Sequence, residues 1–261
     1  PYLDGSRTQP DEFDAGELER LNEFRTLLAA GKTYLDIALA MSRREKPSFE
    51  AVYFEGTDTA SHLFMSYREP QLTDVDAEGF ASFRSVVDRT YENADRMLGR
   101  LLEGREGWTV IVLSDHGFAS DATRPLTTDS RIGHGAAADW HRRFGLFVMS
   151  GPSVKRGIRL EEASIYDVAP TILALFQQPV PSSWPGRVLG TALTPEWLAS
   201  SPVRFIRADP VRRENSEPPP DDDRESRELR AKLQSLGYLA ASDAVPMTTN
   251  NNRGVLLLGD R

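Results

Sequence analysis

Apolar positions recur along this chain with two different periods. From Ala15 to about Met41, Leu18, Leu21, Phe24, Leu27 and Leu28, then Tyr34, Leu35, Ala38 and Leu39, keep the spacing of one helix face. Gly31 lies inside that run and is expected to divide it into two helices. "FEAVYFEG", Phe49 to Gly56, is a short apolar run that reads as a strand. The helical period returns at Phe80, Phe83, Val87, Tyr91, Ala94, Leu98 and Leu101, and Gly104 and Gly107 end it. "WTVIVLSDHG", Trp108 to Gly117, is apolar until its last residues, the pattern of a buried strand. A long Gly/Ala/Thr/Asp loop from Phe118 to His141 leads to a third strand, "FGLFVMSG". "IYDVAPTILALF" is a helix with Pro170 early in it, where a missing N–H costs little.

Helices alternating with apolar strands predict a layered α/β fold around a largely parallel sheet. The first dozen residues are polar and loop-like. Residues 1–198 read as one domain, with a helical segment over 1–46; residues 199–261 read as a linker and tail. The linker is charged and proline-rich, "RRENSEPPPDDDRESRE". "RELRAKLQSLGYLA" is the one short helix expected beyond it, and the Asn/Thr-rich remainder reads as a tether. The chain opens on Pro1, and the expectation is that it begins inside a longer protein.

Composition narrows the chemistry. With 39% hydrophobic residues the chain can bury a core, and no apolar run approaches the length that crosses a bilayer. The net charge of −8 leaves no basic footprint for nucleic acid. There is no cysteine, so a metal would be held by carboxylates, imidazoles and other oxygens.

All four histidines fall in or beside loops at strand ends. "YFEGTDTASHLF" places Asp58 and His62 after the first expected strand, "VLSDHGF" places Asp115 and His116 after the second, and His141 precedes the third. His134, in "RIGHGAA", reads as loop. Open α/β sheets bind ligands where their strands end. Singly, each piece has a plain reading: an Asp that caps a turn, a packed histidine, a surface imidazole. Together they form a set of imidazole and carboxylate donors suited to divalent cations. Two such ions about 4 Å apart clamp an in-line displacement at phosphorus.

In order along the chain, "EGTDTASHLF", "LSDHGF" and "WHRRFGLFVMSGP" resemble the alkaline phosphatase superfamily, specifically its type I phosphodiesterase/nucleotide pyrophosphatase branch. "YREP", Arg124–Pro125, "IYDVAPTILALF" followed by "PGRVL", and the terminal "LRAKLQSLGYL" are similar as well. The resemblance implies a three-layer sandwich with helices on both faces of the sheet, and a hydrolase acting on a small-molecule phosphate ester. It implies two divalent ions, zinc being the usual pair in this branch and manganese or magnesium the alternatives among relatives. Asp58, His62 and His141 would hold one ion, and Asp115 and His116 the other. Arg124 and Tyr67 would either contact substrate or brace the loops.

The sequence departs from the branch in one respect. Its nucleophile, a Thr or Ser in a strand-to-helix elbow, should precede Asp58, yet residues 1–48 carry no such elbow; Thr33 and Ser42 lie in helical pattern. The expectation is a C-terminal portion of such an enzyme, its nucleophile upstream. The alternatives are a non-catalytic metal- or phosphate-binding remnant, or another phosphotransferase of the superfamily. A sulfatase would need a Cys/Ser-x-P-x-R segment, and none is present.

Overall fold

Asp14 begins the longest element of the computed structural model, which describes residues 2–5, 7–121, 124–125, 137–207 and 254–257. Helix α1 (Ala15–Glu45) opens on a capping box. Asp14 accepts from the Glu17 N–H at 2.8 Å, and Glu17 accepts from the Asp14 N–H at 3.0 Å. Lys46, at φ 47°, ends the helix in the left-handed conformation. Gly31 does not divide it. A glycine inside a helix costs about 1 kcal/mol. Here the cap and the packed face of Leu18, Leu21, Phe24, Leu27 and Leu28 outweigh that cost.

Helices α2 (Gly56–Phe64), α3 (Ala77–Phe83) and α4 (Val86–Leu102) complete the first compact unit, which takes residues up to Glu106 and then Phe118–His141. Its core is aromatic. Phe64 lies 5.3 Å from Phe24 and 5.4 Å from Phe83 between ring centroids, and Tyr67 lies 5.1 Å from Phe83. The single helix expected over Phe80 to Leu101 is two. The joint falls at Arg84–Ser85, whose backbones both stay in the right-handed helical region, so the apolar period carries straight across it.

The strand expected at Phe49–Gly56 is not formed. The segment before Gly56 joins no ladder among the described residues, and Tyr53 is 73% exposed. An apolar run favours extended backbone, but a strand also needs a neighbour to take its N–H and C=O groups.

The second unit takes Gly107–Gly117 and the described residues from Arg142 onward. Strand β1 (Val110–Leu113) continues to β2 (Gly117–Phe118), where the chain passes between units. It passes again within β3 (His141–Arg142) and enters β4 (Phe147–Ser150). Strands β1 and β4 pair antiparallel, Val110 opposite Ser150 and Leu113 opposite Phe147. Strand β5 (Arg159–Ala163) is followed by α5 (Val168–Leu175), with Pro170 in its first turn, then β6 (Val180–Pro181), α6 (Pro195–Ser200) and β7 (Phe205–Ile206). Strand β6 pairs parallel with β7. Phe147, Met149, Val154, Leu160 and Leu193 form this unit's core.

The chain is thus α/β, but the ladders of this unit are two-stranded and β1–β4 is antiparallel, where a largely parallel sheet was expected. The exposure of β1 accords with this. Its residues are half-buried and Leu113 is exposed, as an antiparallel pair permits and a strand covered on both faces does not. The tail, read as a tether, also carries a strand on its apolar run "GVLLL": β8 (Gly254–Leu257) pairs antiparallel with β5. The expected linker, the helix in "RELRAKLQSLGYLA" and His134 lie outside the described residues. No helix among the described residues is long and apolar enough to cross a membrane.

Candidate metal centre

Helix α2 brings Asp58 and His62 together. Four residues apart on a helix, two side chains share a face, and His62 Nε2 stands 3.7 Å from an Asp58 carboxylate oxygen. Asp58 occupies the first turn, where the helix dipole favours negative charge. His62 is 1% exposed, enclosed with Ala60, Leu63 and Phe64 on the packed side of the helix.

His141 reaches the same point from β3. Its Nε2 lies 3.0 Å from His62 Nε2, and a ring nitrogen of His141 lies within 4.8 Å of an Asp58 carboxylate oxygen. Phe118 lies beside both imidazoles, 4.9 Å from the His62 ring and 5.8 Å from that of His141. Next to His141, Trp140 is fully buried, and its carbonyl accepts from the Ala119 N–H at 2.7 Å. Two nitrogens bound to one tetrahedral zinc at about 2.0–2.1 Å stand about 3.3 Å apart. The separation of the two Nε2 atoms approaches that value, and Asp58 adds the carboxylate such an ion takes. The same contact serves as a hydrogen bond when one ring carries its proton on Nε2. The donor set therefore fits a divalent cation without requiring one.

The turn after α2 is held by Arg124. Its guanidinium, 2% exposed, donates to the carbonyls of Met65 at 2.6 Å, of Arg68 and of Pro70. Burial lowers the Arg124 pKa from its ordinary value, and the charge of Arg68 lowers it further. Tyr67 is buried on this turn against Phe83, which raises its phenol pKa. In the described structure both side chains brace the segment that follows His62.

Sequence reasoning missed Tyr91 and Ser61 beside Asp58. Ser61, 1% exposed, donates to the Thr57 carbonyl at 2.7 Å. Burial raises the Tyr91 pKa, and the charge of Asp58 adds to it. Tyr91 carried only a helical-period signal, which marks a face and not a neighbour. Thr33 and Ser42, the hydroxyls upstream of Asp58 in helical pattern, both have other partners. Thr33 donates to the Ala29 carbonyl at 2.8 Å, and Ser42 accepts from Arg105 at 2.7 Å.

Asp115 and His116 belong to the second unit, at the end of β1. The His116 N–H donates to the Asp115 carboxylate at 3.1 Å, and His116 Nδ1 faces the Gly117 carbonyl at 3.0 Å. That contact places the ring proton on Nδ1 and makes Nε2 the acceptor, the tautomer a ligand imidazole takes. The segment is set by close backbone approach. A Cβ on Gly117 would stand 2.3 Å from the Phe144 carbonyl oxygen, and one on Gly145 would stand 2.6 Å from that of Ser114. Ser114 adds two bonds across the same approach: its N–H donates to the Leu146 carbonyl at 2.9 Å, and its Oγ accepts from the Leu146 N–H at 2.8 Å.

A family model described as type I phosphodiesterase / nucleotide pyrophosphatase matches residues 2–150. Among curated proteins, the chain is similar to 2,3-bisphosphoglycerate-independent phosphoglycerate mutases. That of Cereibacter sphaeroides is 29% identical over 129 residues, covering 49% of this chain and 23% of the relative. That of Chromohalobacter salexigens is 29% identical over 116 residues, covering 44% and 21%. That of a Nostoc species is 34% identical over 109 residues, covering 39% and 19%. The matched stretch spans about a fifth of each relative's length. No solved structure matches the chain.

Proposed function

Because the chain belongs to the type I phosphodiesterase/nucleotide pyrophosphatase family, we propose that it is part of a metal-dependent phosphoryl-transfer enzyme, and that the reaction is hydrolysis of a small-molecule phosphate ester. The observation that carries the reading is the meeting of Asp58, His62 and His141, from α2 and β3, at the spacing of donors around one cation. Asp58, His62 and His141 hold one divalent ion, zinc foremost and manganese or magnesium as alternatives. Asp115 and His116 hold a second. The nucleophile, a Thr or Ser, comes from outside these 261 residues. Residues 1–198 are the C-terminal portion of a catalytic domain whose whole is a three-layer sandwich around a largely parallel sheet, and 199–261 are its linker and tail.

When bound, such ions neutralise charge on the phosphoryl oxygens and lower the pKa of bound water toward about 7. The chain's own residues do the rest. Burial keeps the His62 imidazole in one orientation, with Nε2 turned to Asp58 and His141. Phe118 covers the edges of both rings, so water reaches the cluster from fewer directions. Asp58 supplies negative charge against a cation. We assign Arg124 and Tyr67 to positioning, through the turn they brace, in preference to contact with substrate.

The named relatives favour a second reading, in which the phosphoryl group passes to another hydroxyl and not to water. Zinc titration of this chain tests the ligands. Turnover of bis(p-nitrophenyl) phosphate against the monoester, in the longest natural polypeptide containing these residues, tests the reaction. His141→Ala is expected to abolish zinc binding and turnover while leaving circular dichroism unchanged. Undiminished turnover removes His141 from the site. Phosphate released to an acceptor alcohol but not to water selects the transferase reading, and zinc binding with no turnover selects the non-catalytic one.

A further inference from the structure

Helix α1 grips the end of α2 with two side chains one turn apart. Arg20 and Phe24, four residues apart, share a helix face. Phe24 packs edge-on against Phe64, and the Arg20 guanidinium donates to the Leu63 carbonyl at 3.1 Å. Both gripped residues directly follow His62, in the last turn of α2. An α-helix supplies no N–H to the carbonyls of its last turn, and its dipole leaves that end negative, so a donating cation answers both needs. The Phe64 backbone, at φ −134°, then departs from the helical conformation. The turn that carries His62 therefore has no further helix beyond it to hold its pitch. The Arg20 charge also stands 5.8 Å from the centre of the Tyr67 ring, within cation–π range, and Tyr67 packs on Phe83. The guanidinium is thus placed by α1 on one side and by a buried ring on another.

We propose that Arg20 is a positioning residue for the metal centre: by holding the Leu63 carbonyl it fixes the last turn of α2, so that the His62 ring is already aimed when the cation arrives. The inference rests on Asp58, His62 and His141 forming that centre. Outer partners that orient ligands change metal affinity by about 10- to 100-fold when removed. Arg20 acts on His62 through the backbone and not on its ring, which sets the expected loss at the lower end of that range.

The test is zinc affinity of this chain, measured by competition with a chelating dye, for Arg20→Met and Arg20→Lys. Arg20→Met keeps an apolar stem and loses the donor; Arg20→Lys keeps the charge and a donor. His62→Ala is the control for the centre. Melting without metal gives the folded fraction of each variant, by which its affinity is corrected. Arg20→Met is expected to bind roughly 10-fold more weakly, and Arg20→Lys to fall between it and the parent. Any other order, while His62→Ala loses zinc, overturns the inference and leaves the centre standing. A loss that vanishes once the folded fraction is counted also overturns it, because the bond would then serve folding alone. Should Arg20→Met not fold, Arg20→Lys decides: affinity equal to the parent's overturns the inference, and weaker binding per folded molecule supports it. If the parent binds zinc no better than His62→Ala, the centre itself fails and the inference with it.

Discussion

The two histidine-bearing segments are built in opposite ways. In the first unit, His62 lies inside a packed helix face, and its neighbours are fixed by polar ties: Ser61 to the Thr57 carbonyl, and Arg124 to three carbonyls of the following turn. In the second, Asp115 has a side chain 55% exposed, and its segment is shaped by backbones that approach at Gly117 and Gly145. One segment is held by side chains that fill space, the other by side chains that are missing. A donor on the first should tolerate changes of its own polarity if volume is kept. A donor on the second should be sensitive to added volume nearby.

The strongest test separates ligand from core. His62→Phe keeps most of the volume of a buried ring, and is expected to preserve the melting temperature within a few degrees while weakening zinc binding roughly 100-fold or more, beyond what loss of an outer partner does. Calorimetry and a zinc titration read both, and intact zinc binding would dissolve the contrast between the segments. Next in size is Arg124→Met, which takes the guanidinium from three carbonyls, of which that of Met65 keeps the Arg68 N–H. A buried unsatisfied group costs about 1–3 kcal/mol, so a loss of about 3 kcal/mol in urea unfolding is expected; a neutral outcome would show that the turn does not need the tie.

Gly117→Ala should cost somewhat less, about 1–3 kcal/mol as overpacking does, with its effect concentrated in the His116 ring resonances and not in those of His62. The smallest effect is expected at Asp4. Burial acts to raise its pKa, but hydrogen bonds from Ser85 and Arg89, with the charges of Arg89 and Arg84, hold it below the ordinary value. Its stabilisation is therefore present above the unfolded pKa of about 3.9 and lost as pH falls through the lower folded value. Asp4→Asn should flatten the stability curve in that acidic window and leave neutral pH within about 1 kcal/mol of the parent.

Much of this was legible in the sequence, for reasons that differ by residue. Asp58 and His62 were expected where a strand ends; they lie on α2, where a spacing of four shares a helix face because helical pitch is a local property. The meeting of His62 with His141, 79 residues away, was legible only through resemblance to known order. Gly31 misled because intrinsic propensity is weak against a capped, packed helix. "FEAVYFEG" misled because apolar content signals extended backbone but cannot supply a pairing neighbour. Arg124 and Tyr67 were read as contacting substrate or bracing; their carbonyl and ring partners became visible only with coordinates. Strand β8 lies on the apolar run "GVLLL", passed over within the Asn/Thr-rich tail, and its partner β5, more than 90 residues upstream, became visible only with coordinates.

The helical seat of Asp58 and His62 has one more consequence. Successive turns of a helix advance by about 5.4 Å and barely stretch, so the opening between those two donors is a fixed gauge. On the proposed reading, His141, arriving on the two-residue strand β3, would be the adjustable jaw. Ions of different radius would therefore be accommodated by moving His141 and not α2, and discrimination between a small and a large cation would be written in the backbone around Trp140 and Arg142.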